Sequence, residues 1–268
     1  MNYQLIALDL DGTLNNDERQ ITPITKQVLL RAQQKGIRVA LASARPAPGL
    51  SREREVLELD RYHGILISYN GARIVDAADN SLLYSRNMAP DAVTAMLTHL
   101  KDFPVAVMVD DGKSYYVTDP EAYKVEFERS NIGIPFTVVA DMAEAVTFPV
   151  PKVLVVAPGK ILDQYTPEIA APFSQTFDFF RVGDFYLEIA IKGFSKATGL
   201  AELCRQLNIP REAVIAFGDS ANDAAMLSYA GMGVAMANGE AAVKKTADAI
   251  TRYTNNEDGV GRMLMEVL

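Results

Sequence analysis

Asp9 and Asp11 stand two residues apart in Asp9-Leu10-Asp11-Gly12-Thr13, directly after the apolar run Gln4–Leu8. On an extended backbone that spacing turns both carboxylates to one side, and Gly12 lets the chain turn sharply or approach a ligand closely. A second acidic stretch, Gly218-Asp219-Ser220-Ala221-Asn222-Asp223, follows the apolar run Ala213–Phe217, and Ser43-Ala44-Arg45 follows Ile37–Ala42. Taken singly, each stretch is equally ordinary turn chemistry: Asp before Gly closes turns, and Asp219 or Ser220 suits a helix cap. Their joint occurrence at the ends of three apolar runs points instead to a site. Like charges about 4 Å apart at an effective dielectric of about 20 repel by ~4 kcal/mol. Asp9, Asp11, Asp219 and Asp223 can therefore converge only around a cation or with some carboxyls protonated. An all-oxygen donor set suits Mg²⁺, which combines one or two carboxylates with waters and phosphate oxygens.

Other chemistries have few residues to work with. Only two histidines are present; His63 precedes a strand-like run and His99 sits in a helix-like one, and both read as structural. A Ser-His-Asp enzyme or a histidine-rich zinc site is disfavoured. The single cysteine, Cys204, falls in the helical apolar series Leu200, Leu203, Cys204, Leu207, which predicts a buried core residue.

The elements that must position these groups are legible from periodicity. Gln4–Leu8, Ile37–Ala42 and Gly64–Ser68 read as strands. Between them Thr22, as N-cap, and Pro23 open a helix through Ala32 that stops near Gly36, and Ser51–Leu59 reads as a charged helix. Near the C-terminus the pattern returns: strands Ala213–Phe217, Gly233–Met236 and Ala249–Arg252, helices Asn222–Ala230, Glu240–Ala247 and Val260–Leu268. Such alternation predicts an α/β fold, a doubly wound, Rossmann-like parallel sheet with helices on both faces. Ligands then bind beyond the carboxyl ends of its strands, where these polar groups lie. Residues 84–188 have another texture, with longer spacings, more aromatics and hairpins such as Val105–Val109 facing Ser114–Thr118. The predicted organisation is a core of 1–83 and 189–268 interrupted by an inserted α+β domain, 84–188.

The 268 residues are 49% hydrophobic and 22% charged, which fits a globular protein rather than a disordered or fibrous one. The 34 acidic and 26 basic residues give a net charge of −8, which disfavours a nucleic-acid partner. Runs such as Val153–Ala157 and Gly231–Ala237 are far shorter than the ~18 apolar residues of a membrane span. Asp9 and Asp11 break the first apolar stretch, so no secretory signal is expected. A cytoplasmic protein with no membrane partner is the expectation.

The ordered motifs resemble those of the haloacid dehalogenase-like (HAD) phosphohydrolases, specifically the Cof type with a large cap inserted between the second and third motifs. Asp9-Leu10-Asp11-Gly12-Thr13 is similar to the first motif, Ser43 to the second, Lys196 to the third and Gly218–Asp223 to the fourth. Tyr69-Asn70-Gly71-Ala72, Gly233–Met236 and Asn256–Val260 add to the likeness, which covers essentially the whole chain. The resemblance implies that Asp9 is the nucleophile and forms an aspartyl-phosphate. It implies that Asp11 protonates the leaving alcohol and then activates water, and that Mg²⁺ is held by the Asp9 side chain, the Asp11 carbonyl and Asp219, supported by Asp223. Ser43 and the Ala44 N–H would hold phosphate oxygens, and Lys196 would neutralise the nucleophile and the phosphoryl group. Two departures stand out: Ala44 occupies a position where relatives often carry Gly, and Glu188 one where they carry Asp or Glu. Glu188 reads as a cap-to-core or substrate contact, or as an ordinary surface carboxylate. Arg45 reads as a phosphate or substrate ligand, or as partner to a surface acid. Asn70-Gly71 is a favoured hairpin dipeptide, and Asn222 orients phosphate-binding groups, caps a helix, or does both.

The expected function is therefore Mg²⁺-dependent hydrolysis of a small phosphorylated metabolite, sugar phosphates above all, with the inserted domain excluding water and choosing the leaving group. Tyr115, Tyr116, Tyr123 and Phe127 of that domain read mainly as its own core. A phosphomutase of the same superfamily needs the same residues and is the alternative; a non-catalytic phosphate- or metal-binding module is the other. A dehalogenase has no use for Asp11.

Overall fold

Apolar strands followed by amphipathic helices bury both faces of a sheet, and the first eighty residues do so with few departures from their pattern. The computed structural model describes residues 3–268; residues 1 and 2, which open the expected core segment, lie outside the described residues. The chain divides into two compact units, Met1–Ser85 with Phe194–Leu268, and Arg86–Gly193. No described helix is long and apolar enough to cross a membrane.

The first stretch runs β1 (Leu5–Leu8), α1 (Pro23–Gln34), β2 (Arg38–Ala42), α2 (Ser51–Val56), β3 (Ile65–Ser68), β4 (Arg73–Asp76) and β5 (Leu82–Ser85). α2 is shorter than its charge pattern predicts, because Glu58 turns into the left-handed region at φ 50° and ends the helical path. Thr22 does not cap α1 with its side chain, which donates instead to Thr25 Oγ1 at 3.0 Å. The cap comes from the far end of the chain: Asp258 Oδ1 accepts from the N–H groups of Ile24 at 2.9 Å and Thr25 at 3.1 Å.

The inserted unit carries α3 (Pro90–Leu100), β6 (Ala106–Asp110), β7 (Tyr115–Val117), α4 (Val125–Ile132), β8 (Phe136–Val138), α5 (Met142–Ala145), β9 (Lys152–Val156), α6 (Gly159–Ala170), β10 (Phe177–Val182) and β11 (Tyr186–Ile191). Its six strands order as β10-β11-β9-β6-β7-β8, antiparallel except for β7 with β8. One face packs on α3 and α6 through Met96, Leu97, Leu162 and Ile169; the other packs on α4 through Val125 and Ile132. Tyr115 lies in this interior, whereas Tyr123 and Phe127 are exposed.

The chain then completes the first unit with α7 (Lys196–Leu207), β12 (Val214–Gly218), α8 (Ala224–Tyr229), β13 (Met232–Ala235), α9 (Ala241–Lys244), β14 (Ala249–Ile250) and α10 (Gly259–Val267). Its sheet has the order β14-β13-β12-β1-β2-β3-β4-β5. The six strands from β14 to β3 are parallel, and β4 and β5 extend that edge in antiparallel fashion. The sheet is thus mixed rather than wholly parallel, because the Asn70-Gly71 turn folds β4 back on β3. Alternate residues of β1 face opposite cores: Ile6 and Leu8 meet α1 and α10, Leu5 and Ala7 meet α7 and α8. Cys204 is buried in the second of these cores.

Candidate active site

Leu8, the last residue of β1, pairs with Leu41 of β2 on one side and Phe217 of β12 on the other. The parallel register therefore brings the residues that follow these strands to one edge of the sheet. Asp9 continues the ladder by donating its N–H to the Phe217 carbonyl at 3.1 Å. Beyond it the chain leaves the extended path: Leu14 N donates to Asp9 O at 3.3 Å and Asn15 N to Leu10 O at 2.8 Å. Asp9 points inward and is buried, while Asp11 is exposed and accepts two hydrogen bonds from Arg45 Nη2, at 2.7 and 2.6 Å. The period-two alternation expected for Asp9 and Asp11 applies only to a strand, and the strand ends at Leu8.

Three carboxylates meet where β1 and β12 end. One oxygen each from Asp9, Asp219 and Asp223 lie within 4.8 Å of one another. Lys196, the first residue of α7 and 1% exposed, joins them, donating to Asp9 Oδ1 and, at 2.7 Å, to Asp223 Oδ1. The other Asp223 oxygen accepts from the N–H groups of Asp219 at 3.0 Å and Ser220 at 3.1 Å. Asp223 is thereby both the cap of its own turn and the partner of the lysine. Cap and site are one arrangement here, not competing readings.

Burial, with the charge of Asp223 adding to it, raises the Asp9 carboxyl well above the usual carboxylate range, Lys196 only partly opposing this. Asp219 is raised for the same two reasons. Burial disfavours the Lys196 ammonium, yet Asp9 and Asp223 outweigh that and raise it above its ordinary value. One lysine against three carboxylates leaves an excess of negative charge that a divalent cation would neutralise. Gly12 shows how tightly the cluster is enclosed: it sits at φ +81°, and a Cβ there would fall 2.5 Å from Asp219 Oδ2. Asp9 and Asp219 offer carboxylate oxygens to Mg²⁺, and the donor set fits a hard cation. Asp223 is bound to Lys196 and to two backbone N–H groups, and its carboxylate lies within the same cluster.

Ser43 follows β2, is buried, and extends the ladder through its N–H to Ile67 O at 2.9 Å. Its hydroxyl accepts from Arg45 N at 3.2 Å, which turns the chain and brings Ala44, half-buried, between them. Asn222 is exposed and accepts from the Ser220 hydroxyl at 2.7 Å. Glu188 lies in the inserted unit, on β11, buried rather than on its surface, and takes a hydrogen bond from Lys152 Nζ at 2.7 Å. Lys152 stays above its ordinary value there: burial works against its charge, but Glu188 outweighs it.

Two contributors have no role in the sequence reading. Thr13 donates its hydroxyl to Asp219 Oδ1 at 3.0 Å, and Asn238 donates to the Gly12 carbonyl at 2.7 Å while accepting from Asn255 N at 2.9 Å. Thr13 closes the first acidic stretch and could have been flagged as a polar residue beside buried carboxylates. Asn238 lies after β13 in Asn238-Gly239, which reads as an ordinary turn.

The geometry has counterparts. Residues 6–264 match a family model for haloacid dehalogenase-like hydrolases. The 5-amino-6-(5-phospho-D-ribitylamino)uracil phosphatase YitU of Bacillus subtilis is 32% identical over 98% of this chain and 96% of its own. Phosphatase YwpJ of the same organism is 28% identical over 99% and 100%. A crystal structure of a haloacid dehalogenase-like hydrolase from Bacteroides thetaiotaomicron, 32% identical, superposes with a TM-score of 0.94 over 99% of this chain and 100% of that one.

Proposed function

The chain belongs to the haloacid dehalogenase-like hydrolases and is a phosphatase of their Cof type, and from that membership we propose that it hydrolyses sugar and polyol phosphates through an aspartyl-phosphate on Asp9, with Mg²⁺ as cofactor. The observation that carries this reading is the buried convergence of Asp9, Asp219 and Asp223 around Lys196 at the carboxyl ends of adjacent parallel strands. The choice of substrate class is supported by YitU, whose name places its phosphate on a ribityl chain.

In the proposed reaction a carboxylate oxygen of Asp9 attacks phosphorus and the bond to the ester oxygen breaks. Asp11 gives that oxygen its proton, and the alcohol departs. Asp11 then takes a proton from water, which attacks the phosphorus and releases Asp9 and phosphate. Arg45 fits this sequence as a shared partner: its guanidinium binds a phosphate oxygen of the substrate or Asp11. Ser43, Ala44 and Asn222 serve in this reading as further phosphate-binding groups. Lys196 holds Asp9 in one orientation and balances the charge that arrives with the phosphoryl group. Mg²⁺, held by Asp9 and Asp219 with the Asp11 carbonyl, supplies charge neutralisation on the carboxylates and phosphoryl oxygens. Glu188 is proposed to serve substrate recognition indirectly, by keeping Lys152 in place.

Phosphate release from a panel of sugar, polyol and nucleoside phosphates, with Mg²⁺ or with chelator, tests this for wild type and Asp9→Asn. Metal-dependent release lost by about 10³-fold or more in the variant is expected. Release that persists in Asp9→Asn refutes the aspartyl-phosphate route. Turnover seen only with a sugar bisphosphate activator identifies a phosphomutase instead.

A further inference from the structure

The first unit has a second pocket, lined by the loop after the carboxylate motif and by α1 and α2. Its volume is about 210 Å³, below the roughly 300–1,000 Å³ of pockets that take drug-sized ligands, so its occupant is small. Two of its lining residues are almost wholly buried, Asn15 at 1% and Glu53 at 3% exposed. Asn15 Nδ2 donates to Glu53 Oε1 at 2.8 Å. The remaining oxygens, Asn15 Oδ1 and Glu53 Oε2, are shut off from bulk solvent and accept no hydrogen bond. Two adjacent buried acceptors without a donor are costly, the more so when one belongs to a carboxyl group.

The exposed lining has the other sign. Arg19, Lys26 and Arg52 line the same pocket and are exposed residues. An ammonium group supplies three donors and a positive charge, which is what Asn15 Oδ1 and Glu53 Oε2 lack. A carboxylate on the same molecule meets the basic rim. A bare cation would leave that rim repelling it, and a bare anion would leave the two acceptors unmet. We propose that this pocket binds a small zwitterion of the free amino-acid class, its ammonium on Glu53 and Asn15 and its carboxylate on the Arg19–Lys26–Arg52 rim. Because neither acceptor is open to solvent, binding requires neighbouring side chains to move aside.

Asn15 also ties the pocket to the first acidic stretch. Its N–H bonds the Leu10 carbonyl at 2.8 Å, and its own carbonyl accepts from Asn255 Nδ2 at 3.0 Å.

Titration calorimetry and thermal-shift measurements on the full chain test the assignment, with glycine, L-alanine, β-alanine and L-glutamate at millimolar concentration as probes. Methylammonium chloride and sodium acetate serve as the half-ligands. None of these carries a phosphate, so the result is independent of the phosphatase reading. At least one amino acid is expected to bind and raise the melting temperature. Its affinity should fall at least tenfold in Glu53→Gln and in the double variant Lys26→Ala with Arg52→Ala. The double variant changes only exposed side chains, so it decides the matter if Glu53→Gln fails to fold. Failure of all four amino acids to bind overturns the proposal. So does a half-ligand that binds as tightly as the best amino acid, or wild-type affinity in the double variant.

Discussion

Among the described residues Lys196 is the only cation paired with Asp9 and Asp223, and it is buried. Lys196→Met should therefore destabilise the metal-free protein by about 3–5 kcal/mol, the range found when one partner of a buried ion pair is removed; urea denaturation in the presence of chelator measures it. The raised Asp9 and Asp219 carboxyls make a second, signed prediction. A carboxyl whose folded-state pKa is raised favours folding while it stays protonated. That contribution is complete below the ordinary carboxylate range near pH ~4 and is lost as pH rises through the folded-state value. Metal-free protein should lose stability from that range towards neutrality. Mg²⁺ binds the ionised form, so the melting-temperature gain between chelator and Mg²⁺ should grow with pH; ~2.7 kcal/mol is expected at 100 times Kd. A gain independent of pH contradicts the cluster as described. At this scale the chemistry-bearing residues were legible because Asp, Gly and Ser at strand ends leave a signature in sequence. Lys196 was reached only by resemblance, since nothing within its own helix distinguishes it. Thr13 and Asn238 were missed because they act through single hydrogen bonds to atoms of distant segments.

Elements, not only side chains, hold the cluster together. The Asn70-Gly71 turn presses against the start of α7: a Cβ on Gly71 would fall 2.5 Å from the Ser195 carbonyl oxygen, and one on Gly199 would fall 2.5 Å from the Gly71 Cα. This backbone-on-backbone contact sets where Lys196 enters the site, one residue into the helix. Gly199→Ala should cost about 1–3 kcal/mol by overpacking and should lower kcat more than it raises KM, because it moves Lys196 and not the substrate contacts. Equal changes in the two constants, from steady-state kinetics, would argue against that role. The strands and most helices were legible at this scale, since continuous apolar runs alternate with helical apolar spacing in β1, α1, β2 and β3. Element ends were less so. α2 ends at a left-handed Glu58 that no periodicity announces. α1 is capped by Asp258, which follows it by more than two hundred residues. The antiparallel β4 and β5 were missed as members of the sheet, although Asn70-Gly71 was recognised as a hairpin dipeptide, because a turn signal does not say which sheet its strands join.

For the whole molecule, the division into units follows from where each stretch finds its apolar partners. Parallel β1, β2 and β3 need helical crossovers and distant partners, whereas β10 and β11 form a hairpin closed by three residues. That texture is what the chain shows between its two alternating stretches. The acidic net charge of −8 is a property of the whole surface, and it coexists with the basic rim of the pocket beside Asn15. The register of β1 has a further consequence, which concerns time. Leu5 pairs with Arg38 on one side and Val214 on the other. During synthesis at ~5–20 residues per second, β1 and its apolar side chains wait roughly 10–40 s for β12 to emerge, while the Phe177–Ile191 hairpin is made of neighbours. In pulse-labelled hydrogen exchange, amides of the β10–β11 hairpin should gain protection before those joining β1 to β12. A nascent chain stalled before residue 214 therefore carries Asp9 at the end of a strand with one edge open, a template for unwanted pairing.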